Sequence, residues 1–152
     1  MRLLPLTEPA VAAIAYNLRQ ADREELAATM DGFDSSRIAW ASARATLGFI
    51  AATDDGMPVA AVGAVLLWPG VWQVGMFATA LWPEVALGTT RHVKRWLMPA
   101  VRGAGWHRAH AFSLASHAEA HRWMLWLGAR VEARLAGWGK GGEDFLLFVW
   151  RP

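Results

Sequence analysis

The 152-residue sequence contains no cysteine, which excludes disulfides and thiolate metal sites and fits a reducing compartment. No charged residue occurs between positions 56 and 83, so this run has to be considered as a membrane span. Pro58, Pro69 and Pro83 divide it into pieces shorter than the roughly 20 residues that cross a bilayer. We therefore expect buried strands there and no membrane span. The first residues also lack the apolar core of a signal peptide, so export by such a signal is not expected.

Carboxylates are absent between Glu84 and Glu119, although the net charge of the whole chain is only +2. The basic residues in that interval are Arg91, Lys94, Arg95, Arg102 and Arg108. The first three share one face of a helix, because residues three and four apart are neighbours there. This basic face has three explanations: it is solvated and has no partner, it binds an anionic ligand, or it binds an acidic partner surface. The chain is nearly neutral and carries no nucleic-acid-binding motif, so nucleic acid is not an expected partner.

The order of helical and strand-like segments predicts one α/β domain over residues 1–152. Strand-like runs occupy 47–52, 59–68, 71–79, 108–114, 130–135 and 145–150. Helical patterns begin at Thr7 and Asp22, run from 89 to 101, and fill the stretch between Ser116 and Gly128. The segment 38–45 is compatible with a helix or a loop.

Two of these helices begin with the spacing of a capping box, Asp22 with Glu25 and Ser116 with Glu119. Gly128 is a natural end for the second helix. The unit from 108 to 135, a strand, a capped helix, a glycine and a strand, resembles the C-terminal half of the GNAT superfamily of N-acetyltransferases. The resemblance implies an α/β (α+β) fold, a single domain with a mixed, mostly antiparallel sheet flanked by helices.

The GNAT resemblance also implies a place for acetyl-CoA. In that superfamily, the coenzyme A pyrophosphate binds a loop of pattern Gln/Arg-x-x-Gly-x-Gly/Ala that opens a helix. The corresponding loop here, 81–91, matches that pattern in neither register of Gly88. A helix N-terminus near Thr89 and Thr90 would still attract an anion. The expected contacts to acetyl-CoA are therefore Met76, Phe77, Gly88, Thr89, Thr90, Arg91 and Lys94, and alanine at the last two should weaken coenzyme binding.

The superfamily's later motif, Asn-x-x-Ala-x-x-x-Tyr-x-x-x-Gly-Phe, aligns through Ala120 and Gly128. Met124 then occupies the position of the tyrosine that often protonates the departing thiolate, and methionine cannot donate a proton. His117 falls at the asparagine position, and Glu84 is the first carboxylate after the third strand. These two are the candidates for a catalytic residue, with a partly exposed helix histidine as the alternative for His117. The helix histidines lack a third ligand, so no metal site is expected.

Three short motifs carry a narrower resemblance: Asn17-Leu18-Arg19-x-x-Asp22-x-x-Glu25, Asp55-Gly56-x-Pro58 and Trp123-x-x-x-Leu127-Gly128. Together they are similar to GNAT-like internal virion or head-assembly proteins of podovirus-type tailed phages. The resemblance implies a virion or assembly component that binds other phage virion proteins or itself, in the virion or the host cytoplasm. It also places Arg19, Asp22 and Glu25 at the edge of the acceptor cleft, although helix capping alone would explain the two carboxylates.

Ten tryptophans favour a protein-contact role, because tryptophan is enriched at interface hot spots. We expect partner contacts at some of Trp68, Trp72, Trp82, Trp106, Trp126 and Trp138. Two hypotheses follow. The first is a virion or assembly component with a degenerate acetyl-CoA site. The second is an active acetyl-CoA-dependent N-acetyltransferase acting on an amine, in which a backbone N–H near Met76 polarises the thioester carbonyl.

Overall fold

A computed structural model describes residues 1–152, whose seven strands form one sheet. The strands are β1 (Arg2–Leu4), β2 (Leu47–Ala52), β3 (Pro58–Trp68), β4 (Val71–Ala78), β5 (Arg108–Leu114), β6 (Arg130–Leu135) and β7 (Phe145–Trp150). Their order across the sheet is β1-β2-β3-β4-β5-β7-β6. Every neighbouring pair is antiparallel except β4 and β5, which are parallel. The expected mixed, mostly antiparallel sheet is therefore confirmed.

Six α-helices and one π-helical segment accompany the sheet. They are α1 (Glu8–Tyr16), α2 (Gln20–Ala28), α3 (Ser35–Ser42), α4 (Trp82–His92), the π segment (Val93–Leu97), α5 (Met98–Gly103) and α6 (Ala118–Trp126). Of the segment 38–45, which is compatible with a helix or a loop, residues 38–42 lie in α3 and residues 43–45 follow it. The start of α3 is capped by the Asp34 carboxylate. No helix combines the length and the apolarity that crossing a bilayer requires.

Apolar side chains pack on both faces of the sheet, because successive residues of a strand point to opposite faces. On one face, Phe49 of β2 belongs to the largest buried cluster, with Val85 of α4. On the other face, the next residue of β2, Ile50, packs in a separate cluster with Ile14 of α1. The sheet is thus the middle layer between α1 and α3 on one side and α4, the π segment and α5 on the other.

β4 and β5 separate along their length, although they are neighbours in the sheet. Their pairing ends at Gln73 and His110. Beyond that point, the linker between α1 and α2 occupies the edge of β4, because the Arg19 N–H donates to the Ala78 carbonyl at 3.0 Å. A gap therefore opens between the C-terminal halves of the two parallel strands, the position at which α/β sheets commonly bind ligands.

The strand boundaries follow the sequence closely. The bounds of β2, β5, β6 and β7 match those expected, and β3 and β4 each differ by one residue at one end. β1 is not expected from the sequence, because three residues carry too little alternation to indicate a strand.

The segment 89–101 is helical as expected, but the helix begins at Trp82 rather than at Thr89, so the expected start is wrong. Gly88 indicated a loop, but it lies inside α4, where a Cβ would come within 2.6 Å of Met1 Sδ. Gly88 therefore packs closely against Met1 and is not a turn residue. Pro83 lies in the first turn, where a proline sacrifices no helical hydrogen bond.

Neither expected capping box forms. α2 begins after Arg19 and α6 after His117, and neither of these residues caps its helix with its side chain. The carboxylates of Asp22, Glu25 and Glu119 instead form hydrogen bonds with other elements of the fold. Helix capping therefore does not explain these three residues.

Candidate active site

A cavity of about 690 Å³ opens where β4 and β5 separate. Its wall is mostly apolar and includes Met76 and Phe77 of β4 and Met124 of α6. Polar side chains in the wall include Arg19, Asp22, Glu25, Ser113 and His117. A mainly apolar pocket with a few converging polar groups is the usual form of a small-molecule site.

Glu25 reaches from α2 to the C-terminal end of β5. Its Oε2 accepts hydrogen bonds from Ser113 Oγ at 2.7 Å and from the Leu114 N–H at 2.8 Å. The same oxygen lies 3.0 Å from His117 Nδ1. Since an ionised carboxylate can only accept, we assign a proton to Nδ1, which leaves Nε2 as the acceptor of the neutral imidazole.

His117 is only 4% exposed, and its Nε2 has no hydrogen-bond partner. Asp22 Oδ1 lies 3.6 Å from that nitrogen, which is too long for a hydrogen bond. Burial lowers the pKa of His117, but the hydrogen bond to Glu25 and the charges of Glu25 and Asp22 outweigh it and raise the pKa above 6.5. His117 lines the cavity, and a buried imidazole nitrogen without a hydrogen-bond partner is suited to accept a proton.

Asp22 and Arg19 form a buried ion pair beside His117. Arg19 Nε donates to Asp22 Oδ2 at 2.6 Å, and Arg19 Nη2 donates to Asp22 Oδ1 at 3.3 Å. The N–H of Ala78, the last residue of β4, donates to Asp22 Oδ2 at 2.8 Å. Burial raises the pKa of Asp22, and the hydrogen bond and charge of Arg19 oppose that rise. The ion pair fixes α2 against the end of β4.

Arg19 also connects α6 to the same group of side chains. Its Nη1 donates to Glu119 Oε2 at 3.0 Å, and its guanidinium carbon lies 5.7 Å from the ring centroid of Trp82. One polar network therefore joins α2, β4, β5 and α6 at the open ends of the parallel strands. No three of its carboxylate and imidazole groups are arranged so that they could hold a metal ion.

The structure separates the two candidate catalytic residues. His117 lies in the cavity wall, whereas Glu84 is exposed in the first turn of α4 and does not line the cavity. Met76 and Phe77, expected as coenzyme contacts, do line it. Met124, at the position of the motif's tyrosine, lies in the same wall and is buried.

Three other expected coenzyme contacts lie inside α4, because no helix begins near them. Thr89 and Thr90 are buried, and Thr90 Oγ1 donates to the Ala86 carbonyl one turn earlier at 2.6 Å. Gly88 packs against Met1. The expectation of an anion site near Thr89 and Thr90 is therefore wrong. Such a site needs the free backbone N–H groups of a helix N-terminus, whereas N–H groups within a helix are already bonded.

The two basic residues expected to accompany that site are also distant from the start of the helix. Arg91 is exposed and, at 1.5 Å per residue, lies about 14 Å along α4 from Trp82. Lys94 is exposed in the π segment, with its Nζ 3.8 Å from the ring centroid of Trp126. The expected loss of coenzyme binding on replacing Arg91 and Lys94 by alanine no longer follows from their positions.

The actual start of α4 offers few free backbone donors. The Trp82 N–H donates to the Thr79 carbonyl at 3.1 Å. The Glu84 N–H donates to the Leu81 carbonyl at 3.0 Å, and Pro83 has no N–H. A pyrophosphate at a helix start is held by free N–H groups and by the positive end of the helix dipole. Here the Glu84 carboxylate in the first turn offsets that positive end.

Aromatic side chains fill the space between α4 and α6. Trp82 and Trp123 pack edge to face with ring centroids 5.6 Å apart. Trp123 Nε1 donates to Thr90 Oγ1 at 2.9 Å, which joins the two helices. The residues present therefore fit a thioester arm in the gap between β4 and β5, and they do not fit the nucleotide of coenzyme A at the start of α4.

Three residues that build the site, Arg19, Asp22 and Glu25, were not among the expected site residues. The phage-protein resemblance named them at a cleft edge, but the capping-box spacing gave two of them an ordinary explanation. Arg19 was the available signal, because it has no part in a capping box and lies three residues before Asp22.

No protein-family model and no curated protein matches the sequence. Solved structures match over 99% of this chain. Ard1 from Thermoplasma volcanium aligns with a TM-score of 0.75, 10% identity and 96% of its own chain covered. A GNAT-family acetyltransferase from Bacillus anthracis aligns with a TM-score of 0.67 and 14% identity, with 95% of its own chain covered. The structure of yncA from Salmonella typhimurium is described as that of an acetyltransferase with its cofactor acetyl-CoA. It aligns with a TM-score of 0.72 and 21% identity, with 93% of its own chain covered.

None of these three structures is described as a phage protein, so the resemblance to phage virion proteins stays a prediction from the sequence. The identities are low enough that they show architecture and not activity. The full-length match, together with the seven-stranded mixed sheet, shows that this chain has the fold of the GNAT acetyltransferases.

Proposed function

We propose that this protein is an N-acyltransferase, which moves an acyl group, acetyl in the simplest case, from a thioester to an amine. The observation that carries the proposal is the buried, unpartnered Nε2 of His117 in the wall of the cavity between β4 and β5. The structural neighbours support it, because they include acetyltransferases, one of them described with acetyl-CoA.

The thioester is placed in the gap, along the free edge of β4. Pairing on that edge ends at Gln73. Alternate residues of a strand direct their backbone groups to the same edge, so Met76 faces the gap as Ala78 does, whose N–H donates to Asp22. The Met76 N–H is then positioned to donate to the thioester carbonyl and to stabilise the negative charge that develops on its oxygen. Phe77 lines the cavity beside it.

The acceptor is an amine, which is protonated near neutral pH and cannot attack a carbonyl carbon until it loses a proton. His117 Nε2 takes that proton, and Glu25 stabilises the resulting imidazolium through Nδ1. As the N–C bond forms, the C–S bond breaks and its electron pair leaves with the sulfur. Of the two protons that the ammonium loses, His117 takes the first before the attack, and the second passes to water as the amide forms.

The cavity contains no obvious proton donor for the departing thiolate. Met124 occupies the place at which GNAT enzymes often carry a tyrosine, and a thioether cannot donate. Tyr16 is 75% exposed and does not line the cavity. Because a thiol has an ordinary pKa of about 8.5, the thiolate is a fair leaving group that can take its proton from water. Catalysis would then depend mainly on positioning and on the base.

The protein is expected to release thiol from acetyl-CoA or S-acetylpantetheine only when an amine acceptor is present. Candidate acceptors are peptides with free N-termini, polyamines and aminoglycosides. Free thiol is measured colorimetrically and the N-acetylated product by mass spectrometry, and equal amounts of the two would support transfer. The proposal fails if no amine is acetylated and neither donor gives saturable heat in calorimetric titration at millimolar concentration.

The assembly role predicted from the phage resemblance is the second candidate. Trp68, Trp126 and Trp138 are each more than half exposed, as a contact role requires. Trp72 and Trp82, also expected to meet a partner, are instead buried in the core. If neither acetyl-CoA nor S-acetylpantetheine binds, the assembly role becomes the better explanation of the exposed tryptophans.

The rate of transfer is expected to rise with pH through a pKa above 6.5. His117 acts as a base only when it is neutral, and its pKa is raised by Glu25 and Asp22. Glu25→Gln removes one of these charges, while the amide oxygen can still accept from Ser113 and Leu114. The pH of half-maximal kcat/KM should therefore move to a lower value in this variant.

Glu24→Gln is the matched control for this pH profile, since Glu24 is exposed on the same helix. It should leave the profile of the unmodified protein unchanged. All three proteins are assayed with one amine, so the titration of the acceptor cancels in the comparison. Coincident profiles for Glu25→Gln and the unmodified protein would contradict the role assigned to Glu25.

A further inference from the structure

We infer that the acyl donor is recognised through its pantetheine thioester arm, and that the 3′-phospho-ADP portion of coenzyme A contributes little to binding or turnover. This inference rests on the proposed function, because it names the donor class of the same site. Two observations lead to it. The gap between β4 and β5 accommodates a thioester arm, whereas the start of α4 does not accommodate phosphates.

The start of α4 lacks the two features that hold a phosphate. Its first N–H groups, those of Trp82 and Glu84, are already bonded to carbonyls, and Pro83 has none. The Glu84 carboxylate is exposed in the same turn, where it repels an anion and cancels the favourable end of the helix dipole. A phosphate placed here would lose hydrogen bonds to water without gaining equivalent ones.

A basic residue that contacts the first residue of α4 is already neutralised, since the Arg19 guanidinium carbon lies 5.7 Å from the Trp82 ring centroid. Arg19 is 11% exposed, and its guanidinium pairs with Asp22 at 2.6 Å and with Glu119 at 3.0 Å. Arg102 lines the cavity without a carboxylate partner, but it lies in the last turn of α5. That end of a helix presents free carbonyl groups, which disfavour phosphate.

The cavity supports the complementary part of the inference. Its volume of about 690 Å³ and its mostly apolar wall suit a chain of pantetheine size. Trp82 and Trp123 pack edge to face, and Trp123 donates to Thr90, so these side chains occupy space between α4 and α6 and leave less room there for a nucleotide. We therefore place the pantetheine arm in the gap and the group to which it is attached, a nucleotide or a carrier protein, in solvent.

Pantetheine thioesters occur both on coenzyme A and on the phosphopantetheine group of carrier proteins. The experiment uses three donors with one amine: acetyl-CoA, S-acetylpantetheine and an acetylated carrier protein. The kcat/KM for S-acetylpantetheine should lie within about threefold of the value for acetyl-CoA, whereas several charge-assisted phosphate contacts would favour acetyl-CoA by about a hundredfold or more. A still higher value for the carrier protein would identify it as the source of the same arm.

The outcomes separate this inference from the proposed function. A hundredfold preference for acetyl-CoA would overturn the inference and leave the transferase intact. Absence of turnover and of binding with all three donors would overturn the proposed function, and the inference with it. Adenosine 3′,5′-bisphosphate, which carries only the nucleotide end, should not inhibit at millimolar concentration. Saturable inhibition by it would also overturn the inference.

Discussion

Replacing His117 with glutamine should lower kcat/KM for acyl transfer by about 10² to 10⁴, the usual contribution of a positioned general base. Glutamine offers an amide N–H that can still donate to Glu25, but it cannot take up a proton near neutral pH. The loss would therefore report proton transfer rather than collapse of the network. The measurement is the initial rate of N-acetylated product at several concentrations of the amine.

His121→Gln is the control for that variant. His121 lies in the next turn of α6, does not line the cavity, and its Nε2 is 3.0 Å from the Leu114 carbonyl. Activity should change by no more than a few fold in this variant, and urea unfolding checks that both variants fold. A loss of less than tenfold in His117→Gln would contradict the role of His117. Equal losses in both variants would indicate a structural cause.

The fold could be predicted largely because its signals are local. The ends of β5, β6 and β7 are marked by turn residues and apolar runs that need no knowledge of the rest of the chain. Gly128 ends α6 with a φ of 89°, a backbone conformation that glycine adopts without steric cost. The sequence pattern therefore reproduces the segment from β5 to β6 with few errors.

The start of α4 carries a local signal, Pro83 in the first turn followed by Glu84, which a different interpretation of the same stretch obscured. The comparison of residues 81–91 with a coenzyme-binding loop through Gly88 instead places the start of the helix near Thr89. Within α4, Gly88 packs against the side chain of Met1, a contact distant in sequence that no local pattern reveals. The anion site expected near Thr89 depended on this error and was lost with it.

The candidate site was obscured because most of its contacts join residues that are distant in sequence. Asp22 and Glu25 have the spacing of a capping box, a local arrangement worth about 1 kcal/mol. Their actual partners are Ala78, 56 residues from Asp22, and His117, 92 residues from Glu25. Tertiary hydrogen bonds to buried groups outweigh a local preference of that size, and spacing along the chain does not reveal them.

Replacing Asp22 with alanine should lower the free energy of unfolding by about 3–5 kcal/mol, the usual cost of removing one partner of a buried ion pair. The change leaves the Arg19 guanidinium, 11% exposed, without its closest carboxylate. It also leaves the Ala78 N–H without an acceptor at the end of β4. Urea unfolding measures the loss, and an unchanged dependence on urea concentration would confirm that the folded and unfolded states are otherwise similar.

A second variant separates the charge from the packing at this position. Arg19→Met with Asp22→Leu removes both charges and keeps apolar volume in their place, so it should lose less stability than Asp22→Ala. Glu119 is half exposed and can be solvated when Arg19 is gone. A greater loss in the double variant than in Asp22→Ala would mean that Arg19 stabilises the fold mainly through its contacts with Glu119 and Trp82. A loss below about 1 kcal/mol in Asp22→Ala would mean that the ion pair does not hold α2 against the end of β4, because such a value is typical of exposed pairs.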